Sequence, residues 1–163
     1  MPVHPSSLAA MDLNFPMIHT QIYSRQALPS IEEEIKIVHF LHQHLENYGD
    51  PIADIQKCVD YALQRNDAPG GLLIASYDAW QNITGAVIIN KTGMQGYIPE
   101  NILVYIATHH EHRGKGIGKQ LMTEAISQTD GDIALHVEPE NPAKALYERL
   151  GFTNKYLEMR LKK

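Results

Sequence analysis

Residues 102–107, Ile-Leu-Val-Tyr-Ile-Ala, form a nearly unbroken apolar run that leads into Thr108-His109-His110-Glu111-His112-Arg113-Gly114-Lys115-Gly116-Ile117-Gly118-Lys119. Such a run predicts a central strand covered on both faces. The three glycines predict a tight turn that a ligand can approach without meeting a Cβ. Beyond them Ile117, Leu121, Met122, Ala125 and Ile126 recur at helical spacing. Strand, glycine turn and helix start, in that order, aim the free N–H groups of the first helical turn at one point, with the positive end of the helix dipole behind them. That is an anion site, suited to a phosphate or pyrophosphate. Arg113, Lys115 and Lys119 place positive charge there in a chain whose formal net charge is −5.

The rest of the chain predicts a mixed α/β fold. Met17–Tyr23 alternates as a first strand. Ser30 and Glu33 have the spacing of a capping box, and Ile31, Ile35, Val38, Leu41 and Leu45 mark the apolar face of the helix that follows, with Glu32 and Lys36 as an i,i+4 ion pair. Tyr48-Gly49 ends that helix; Asp50-Pro51 opens a second with a cap and a Pro at N1, its apolar face made by Ile52, Ile55, Val59 and Leu63. Leu72–Tyr77 and Thr84–Ile89 read as a meander leading to the 102–107 strand, and Ile133–Val137 as a further strand. A short helix runs from Asn141-Pro142 to Leu150-Gly151, with Gly151 as its C′ residue, and Tyr156–Leu161 is a candidate last strand. Residues 1–16, rich in Pro, Ser and Met, are expected to be a flexible lead-in to one domain covering residues 1–163.

Composition excludes several classes. An apolar fraction of 44% and a charged fraction of 20% are those of a globular protein. No apolar stretch is long enough to span a bilayer, so no membrane partner is expected. The negative balance argues against nucleic acid as a partner. Cys58 is alone, which excludes an intrachain disulfide and points to the cytoplasm. His109, His110 and His112 suggest a metal, but adjacent side chains on a strand point to opposite faces, and no second cluster has ligand spacing; no metal is expected. His39, His42 and His44 read as a solvated helix surface, and Cys58, beside Ile55 and Val59, as a buried inert thiol.

Two phosphate-binding patterns fail on the glycine segment. A Walker A loop needs Ser or Thr after Gly-Lys, and Gln120 stands there. A dinucleotide fingerprint needs Gly-x-Gly-x-x-Gly, whereas the spacing here is Gly114-x-Gly116-x-Gly118. The segment instead resembles motif A of the GNAT acyltransferase superfamily, Gln/Arg-x-x-Gly-x-Gly/Ala, filled by Arg113, Gly116 and Gly118. Downstream, Asn141-Pro142-Ala143-Lys144-Ala145-Leu146-Tyr147-Glu148-Arg149-Leu150-Gly151-Phe152 is similar to that family's LYExLGF-like closing signature.

The resemblance implies a GNAT fold, a central mostly antiparallel mixed sheet of about six or seven strands flanked by about four helices, with acetyl-CoA as co-substrate between a splayed parallel strand pair. Backbone groups of the segment Ile106-Ala107-Thr108 would pair with the pantetheine arm. Those of Arg113, Gly114, Lys115, Gly116, Ile117, Gly118 and Lys119 would hold the pyrophosphate, and Asn141 is a further candidate cofactor contact. A strand-edge N–H would polarise the thioester carbonyl. Tyr147 matches the family tyrosine that protonates the departing thiolate. Glu100, sharing strand parity with Ile102, Val104 and Ile106, is the candidate base, although the family pattern places an acid nearer Ile102. The expected reaction is transfer of an acetyl group to a primary amine of a small molecule or peptide; the alternatives are a non-catalytic CoA-binding sensor or assembly module and, more weakly, a nucleotide-phosphate binder. Residues 24–71 and the loop around Tyr97 are the expected acceptor side. Glu32, Glu33, Glu34, Asp50 and Asp54 would suit a cationic acceptor and serve equally as helix N-terminal charges. A homodimer is common among such proteins.

Overall fold

The computed structural model describes residues 18–163; the lead-in expected over residues 1–16 lies outside them. The elements are β1 (His19–Tyr23), α1 (Ile31–His44), α2 (Ile52–Ala62), β2 (Gly71–Tyr77), β3 (Ile83–Lys91), β4 (Asn101–Thr108), α3 (Ile117–Ser127), β5 (Ile133–Leu135) and α4 (Ala143–Arg149). The sheet runs β1-β2-β3-β4-β5. The first four strands form an antiparallel meander, and β5 joins β4 in parallel after the α3 crossover. Helices cover both faces. Ile37, Leu41, Ile55 and Val59 of α1 and α2 pack with Leu73, Ala75, Ala86, Ile88, Tyr105 and Ala107. Ile117, Leu121 and Met122 of α3, with Tyr147 of α4, pack with Leu72, Ile74, Val87, Ile89 and Leu103.

The sheet has five strands among the described residues rather than six or seven. The expected strand over Tyr156–Leu161 does not form. Leu157, Met159 and Leu161, which supply its alternation, are 83–91% exposed, so none of the described residues buries them. Extended chain without a neighbour leaves its polar groups to water and gains no packing.

Helix α2 buries Ile55, Val59 and Leu63 as its pattern predicts and exposes Ile52, whereas α1 buries the expected Val38 and Leu41 but is turned at its N-terminal half. On α1 the buried residues include Glu34, Ile37, Phe40 and His44, while Ile31 and Ile35 are exposed. Polar clasps set this rotation. Glu34 takes both guanidinium nitrogens of Arg65 at 2.7 Å, and Tyr77 donates to Glu33. Only half of the capping box forms: Ser30 Oγ accepts from the Glu33 N–H at 3.1 Å, while the Glu33 carboxylate is held by Tyr77. The Glu32–Lys36 pair forms at 2.7 Å. Pro51 stands at the N-cap of α2 rather than N1, and no side chain caps that helix. Asp50, expected as the cap, accepts from the Tyr105 hydroxyl at 2.6 Å instead. Cys58 is buried as expected, and burial pushes its thiol up to about 12.

β4 is where sequence periodicity and structure part most usefully. Leu103 stands opposite Ile89 and Tyr105 opposite Ile88, with the register shifting between them, so Val104 is the extra residue of a β-bulge. The bulge reverses side-chain parity. Leu103 faces α3 and α4, and Tyr105, two residues on, faces α1 and α2. Sequence alone predicts these two on one face, and predicts Glu100 on the face of Ile106. Neither holds across a bulge.

The Glu34–Arg65 clasp makes a pH-dependent prediction. Arg65 holds the Glu34 carboxyl below the usual range. A depressed folded pKa stabilises above the unfolded value of about 4.3 and is lost as pH falls through the folded one. Glu34→Gln should cost about 1–2 kcal/mol at pH 7, allowing for the partial exposure of Arg65. Denaturant unfolding at pH 7 and again well below pH 4 should show the difference between variant and parent closing at the acid end.

Candidate active site

β4 and β5 pair only over Asn101↔Ile133, Ile102↔Ala134 and Leu103↔Leu135. From Val104 onward β4 has no strand neighbour on that side among the described residues, and Val104 is its most exposed residue. The His109 N–H donates to Thr84 on β3 at 2.9 Å. Backbone groups alternate along an antiparallel strand, so those of Thr108 and Ile106 point the other way, into the opening. Ala107, expected with them, turns its backbone toward β3 and its methyl into the α1–α2 core. The bulge at Val104 and the end of pairing at Leu103 therefore open a V with a row of free strand amides on one wall.

The segment continues into the anion cradle. Gly114 and Gly116 have φ of +75° and +82°, in the left-handed region open to glycine. A Cβ at either would meet nothing within 4 Å, so the space before them is open. Gly116 caps α3 with no side chain to accept from the first-turn N–H groups, and that turn holds no acidic residue. The amides of Ile117, Gly118 and Lys119 are thus donors in search of an anion. A Cβ on Gly118 would come within 3.3 Å of Leu146 and 3.7 Å of Thr108, so α3, α4 and β4 meet closely there. Lys119 lines a shallow groove leading away from Gly116 along α3. Arg113 is turned elsewhere: its guanidinium donates to the His44 carbonyl at 2.9 Å and pairs with Glu46 at 3.2 Å, capping the C-terminus of α1. Its backbone stays in the loop.

Tyr147 lies on α4 against the opposite wall. Its ring is buried edge-on to Phe152, with centroids 6.0 Å apart. Burial raises the phenol to about 12, so it is protonated at neutral pH. Its hydroxyl makes no hydrogen bond to a described residue, which leaves its proton to give. A Schellman turn fixes the end of this helix: the Phe152 N–H reaches the Tyr147 carbonyl at 3.0 Å and the Gly151 N–H reaches Glu148 at 3.0 Å, with Gly151 at φ +97° as expected. Asn141 sits at the start of α4, where its Oδ1 accepts from the Ala143 N–H at 2.9 Å.

Glu100 is not brought to this group. It lies at the closed end of the strand pair, accepting from the Asp132 N–H at 2.8 Å and from Gly96 at 3.4 Å, and the Asp132 contact leads in holding its carboxyl below the usual range. Seven strand steps, about 23 Å, separate that end of β4 from Thr108. Tyr97 lies at the same end, lining a broad concavity with Met94 and Glu100. The acidic residues of α1 and α2 are largely engaged: Glu33 and Asp50 accept tyrosine hydroxyls, and Glu34 and Asp54 are ion-paired. His44, read as a surface residue, is buried against Phe40, and burial with neighbouring His109 and His110 lowers its pKa to about 4. No helix of the described residues is long and apolar enough to cross a membrane.

A splayed parallel pair after an antiparallel meander, continued by an uncapped helix with glycines before it, defines a mixed α/β fold with an open strand edge and an anion-suited helix mouth. Residues 68–154 match the sequence model of the acetyltransferase (GNAT) domain, and the chain belongs to that family. A 5-NmdU N-acetyltransferase of Pseudomonas phage PaMx11 is 39% identical over 57 residues, covering 34% of this chain and 41% of that protein. Among solved structures, the aminoglycoside N-acetyltransferase AAC(6')-Iy in complex with CoA superposes with a TM-score of 0.67 at 14% identity, over 94% of this chain and 99% of the other. A transcriptional regulator from Bacillus halodurans C-125 superposes with a TM-score of 0.64 at 19% identity, over 89% and 100%. At such identities these likenesses concern the fold.

Gly116→Ala tests the cradle. Holding a Cβ at φ +82° costs about 1–2 kcal/mol, a cost the loop relieves by moving its amides. Calorimetric titration with CoA should show at least about a tenfold loss of affinity, with the variant still cooperatively folded.

Proposed function

We propose that the protein transfers an acetyl group from acetyl-CoA to a primary amine of a small molecule or peptide, by direct attack within a ternary complex. The observation that carries this is two sets of unpaired amides on one segment, those of Ile106 and Thr108 at the strand edge and those of Ile117, Gly118 and Lys119 at the mouth of α3, beside a buried tyrosine whose hydroxyl bonds no described residue. The residues fit the co-substrate on both counts. Ile106 and Thr108 would bind its arm as an added strand. The loop from Arg113 through Lys119 would hold its pyrophosphate. When bound, acetyl-CoA supplies an activated acyl carbon. A β4 amide in the opening is placed to stabilise negative charge on an acyl oxygen. Tyr147 holds a proton near where a thiolate departs, and the desolvation that raises its own pKa raises the thiolate's basicity too.

Glu100 takes a different part in this proposal: it clasps the turn before β5 and sets where the strands separate. Glu100→Gln should therefore lower thermal stability and leave the pH dependence of kcat in place. A base would instead lose most of kcat. The acceptor enters from the side of α1, α2 and the Tyr97 loop.

The proposal extends to a homodimer. Among the described residues β5 has one strand neighbour and the alternating segment 156–161 has none. A second copy offers each what it lacks, and light scattering should show a dimer that a chain ending at Asn154 does not form.

Incubation with acetyl-CoA and a panel of primary amines, following thiol release, tests the activity. Tyr147→Phe should lower kcat about 10²–10³-fold while CoA affinity stays within a factor of two or so. Acceptor-independent CoA binding with no thiol release, indifferent to Tyr147→Phe, would instead favour a sensor or assembly module.

A further inference from the structure

Three histidines from two distant parts of the chain meet where β4 leaves the sheet. β4 ends at Thr108, and His109 takes φ −50° and ψ 130° before a 3₁₀ turn over His110–His112. The strand rule that would send His109 and His110 to opposite faces no longer applies. Their rings stack with centroids 4.7 Å apart and 20° between planes. His44, in the last turn of α1, closes the group, with centroids 4.3 Å from His109 and 5.2 Å from His110. One ring nitrogen from each of the three lies within 4.8 Å of the others.

We propose that His44, His109 and His110 form a binding site for a divalent transition-metal ion. The geometry is the first support. His44 Nδ1 and His110 Nδ1 are 3.4 Å apart. Two imidazole nitrogens on one tetrahedral zinc at about 2.0–2.1 Å stand about 3.3 Å apart. The same nitrogen of His44 accepts the His110 backbone N–H at 3.3 Å, so it carries a lone pair rather than a proton, and a bound ion would take the place of that long hydrogen bond. A metal needs that form. The donor set is the second support. Three neutral imidazoles suit Zn²⁺, Co²⁺ or Ni²⁺ and do not suit Mg²⁺ or Ca²⁺, which take oxygen ligands. His44 is buried and His109 half-buried, while His110 is half-exposed, so the ion has two anchored ligands and an entry path from solvent. A fourth position stays open on the His110 side.

Such an ion staples the C-terminal turn of α1 to the segment that becomes the anion cradle. Arg113 already ties these two places through the His44 carbonyl. The metal lies beside the phosphate loop and outside the group that faces the thioester, so it is a structural site and takes no part in the transfer step.

The test uses the untagged full chain. Co²⁺ titration should give saturable visible absorption of a low-coordinate ion at one equivalent, and Zn²⁺ should displace it. Zn²⁺ should also raise the melting temperature by mass action. His110→Ala, at an exposed position, should weaken Co²⁺ binding by roughly tenfold or more, and His109→Ala likewise. His44→Ala is the harsher variant because the residue is buried; the other two keep the test valid if it does not fold. Absence of saturable absorption and of a melting shift in Zn²⁺ would overturn the site. So would Co²⁺ affinity unchanged in His109→Ala and His110→Ala, which would put the ion on other histidines such as His39 and His42. Both readouts are independent of acetyl transfer, so this proposal and the catalytic one fail separately.

Discussion

The interaction on which the molecule turns is one that β4 does not make. After Leu103 the neighbouring strand leaves, and the backbone groups that a central strand would spend on it point into open space. Unpaired amides in a half-buried setting are unfavourable, and a protein keeps them only where something else completes them. The same segment then enters a helix whose first turn has no cap. Strand edge and helix mouth are thus two stretches of one deficit, ending in donors suited to an extended amide chain and to an anion. An acyl carrier with a pantetheine arm and a pyrophosphate answers both.

Rigidity around this deficit comes from packing on either side of the sheet. The α1–α2 core and the α3–α4 core are separate, and the bulge at Val104 lets β4 serve both by switching faces between Leu103 and Tyr105. Close contact of Gly118 with Leu146 and Thr108 locks the helix mouth against the tyrosine's helix. Arg113, turned from the phosphate loop, ties that loop to the end of α1 through the His44 carbonyl. Its charge acts on a helix terminus rather than on the ligand, while its backbone remains part of the cradle. Glu100 lies at the other end, where its carboxylate accepts from the Asp132 N–H in the turn before β5.

Much of this was legible before any fold was known. Gly114 and Gly116 after an apolar run imply a tight turn and a helix start, because glycine takes the positive φ of such a turn at least cost. Gly151 at the end of α4 is legible for the same reason. Tyr147 was legible only through its motif neighbours, since an aromatic on an amphipathic helix is otherwise core. The rotation of α1 was not legible: Ile31 and Ile35 fit the periodicity and yet face water, because Glu34 and Arg65 pair across thirty residues of sequence. Glu100 was misplaced by parity, since a bulge is set by how two strands meet and leaves no mark in one of them. The last strand was misjudged because alternation in 156–161 describes a strand that needs a neighbour, and the described residues provide none.

Local chemistry was therefore determined by sequence alone: which residues turn and donate, and hence that a helix mouth suited to an anion follows the central strand. Those properties depend on neighbours a few positions away. Tertiary structure alone decided which groups share a space: the parity switch at Val104, the engagement of Arg113 and Glu100, and the meeting of His44 with His109 and His110. Each depends on contacts between segments tens of residues apart, and such contacts are set by the packing of whole elements rather than by any local pattern.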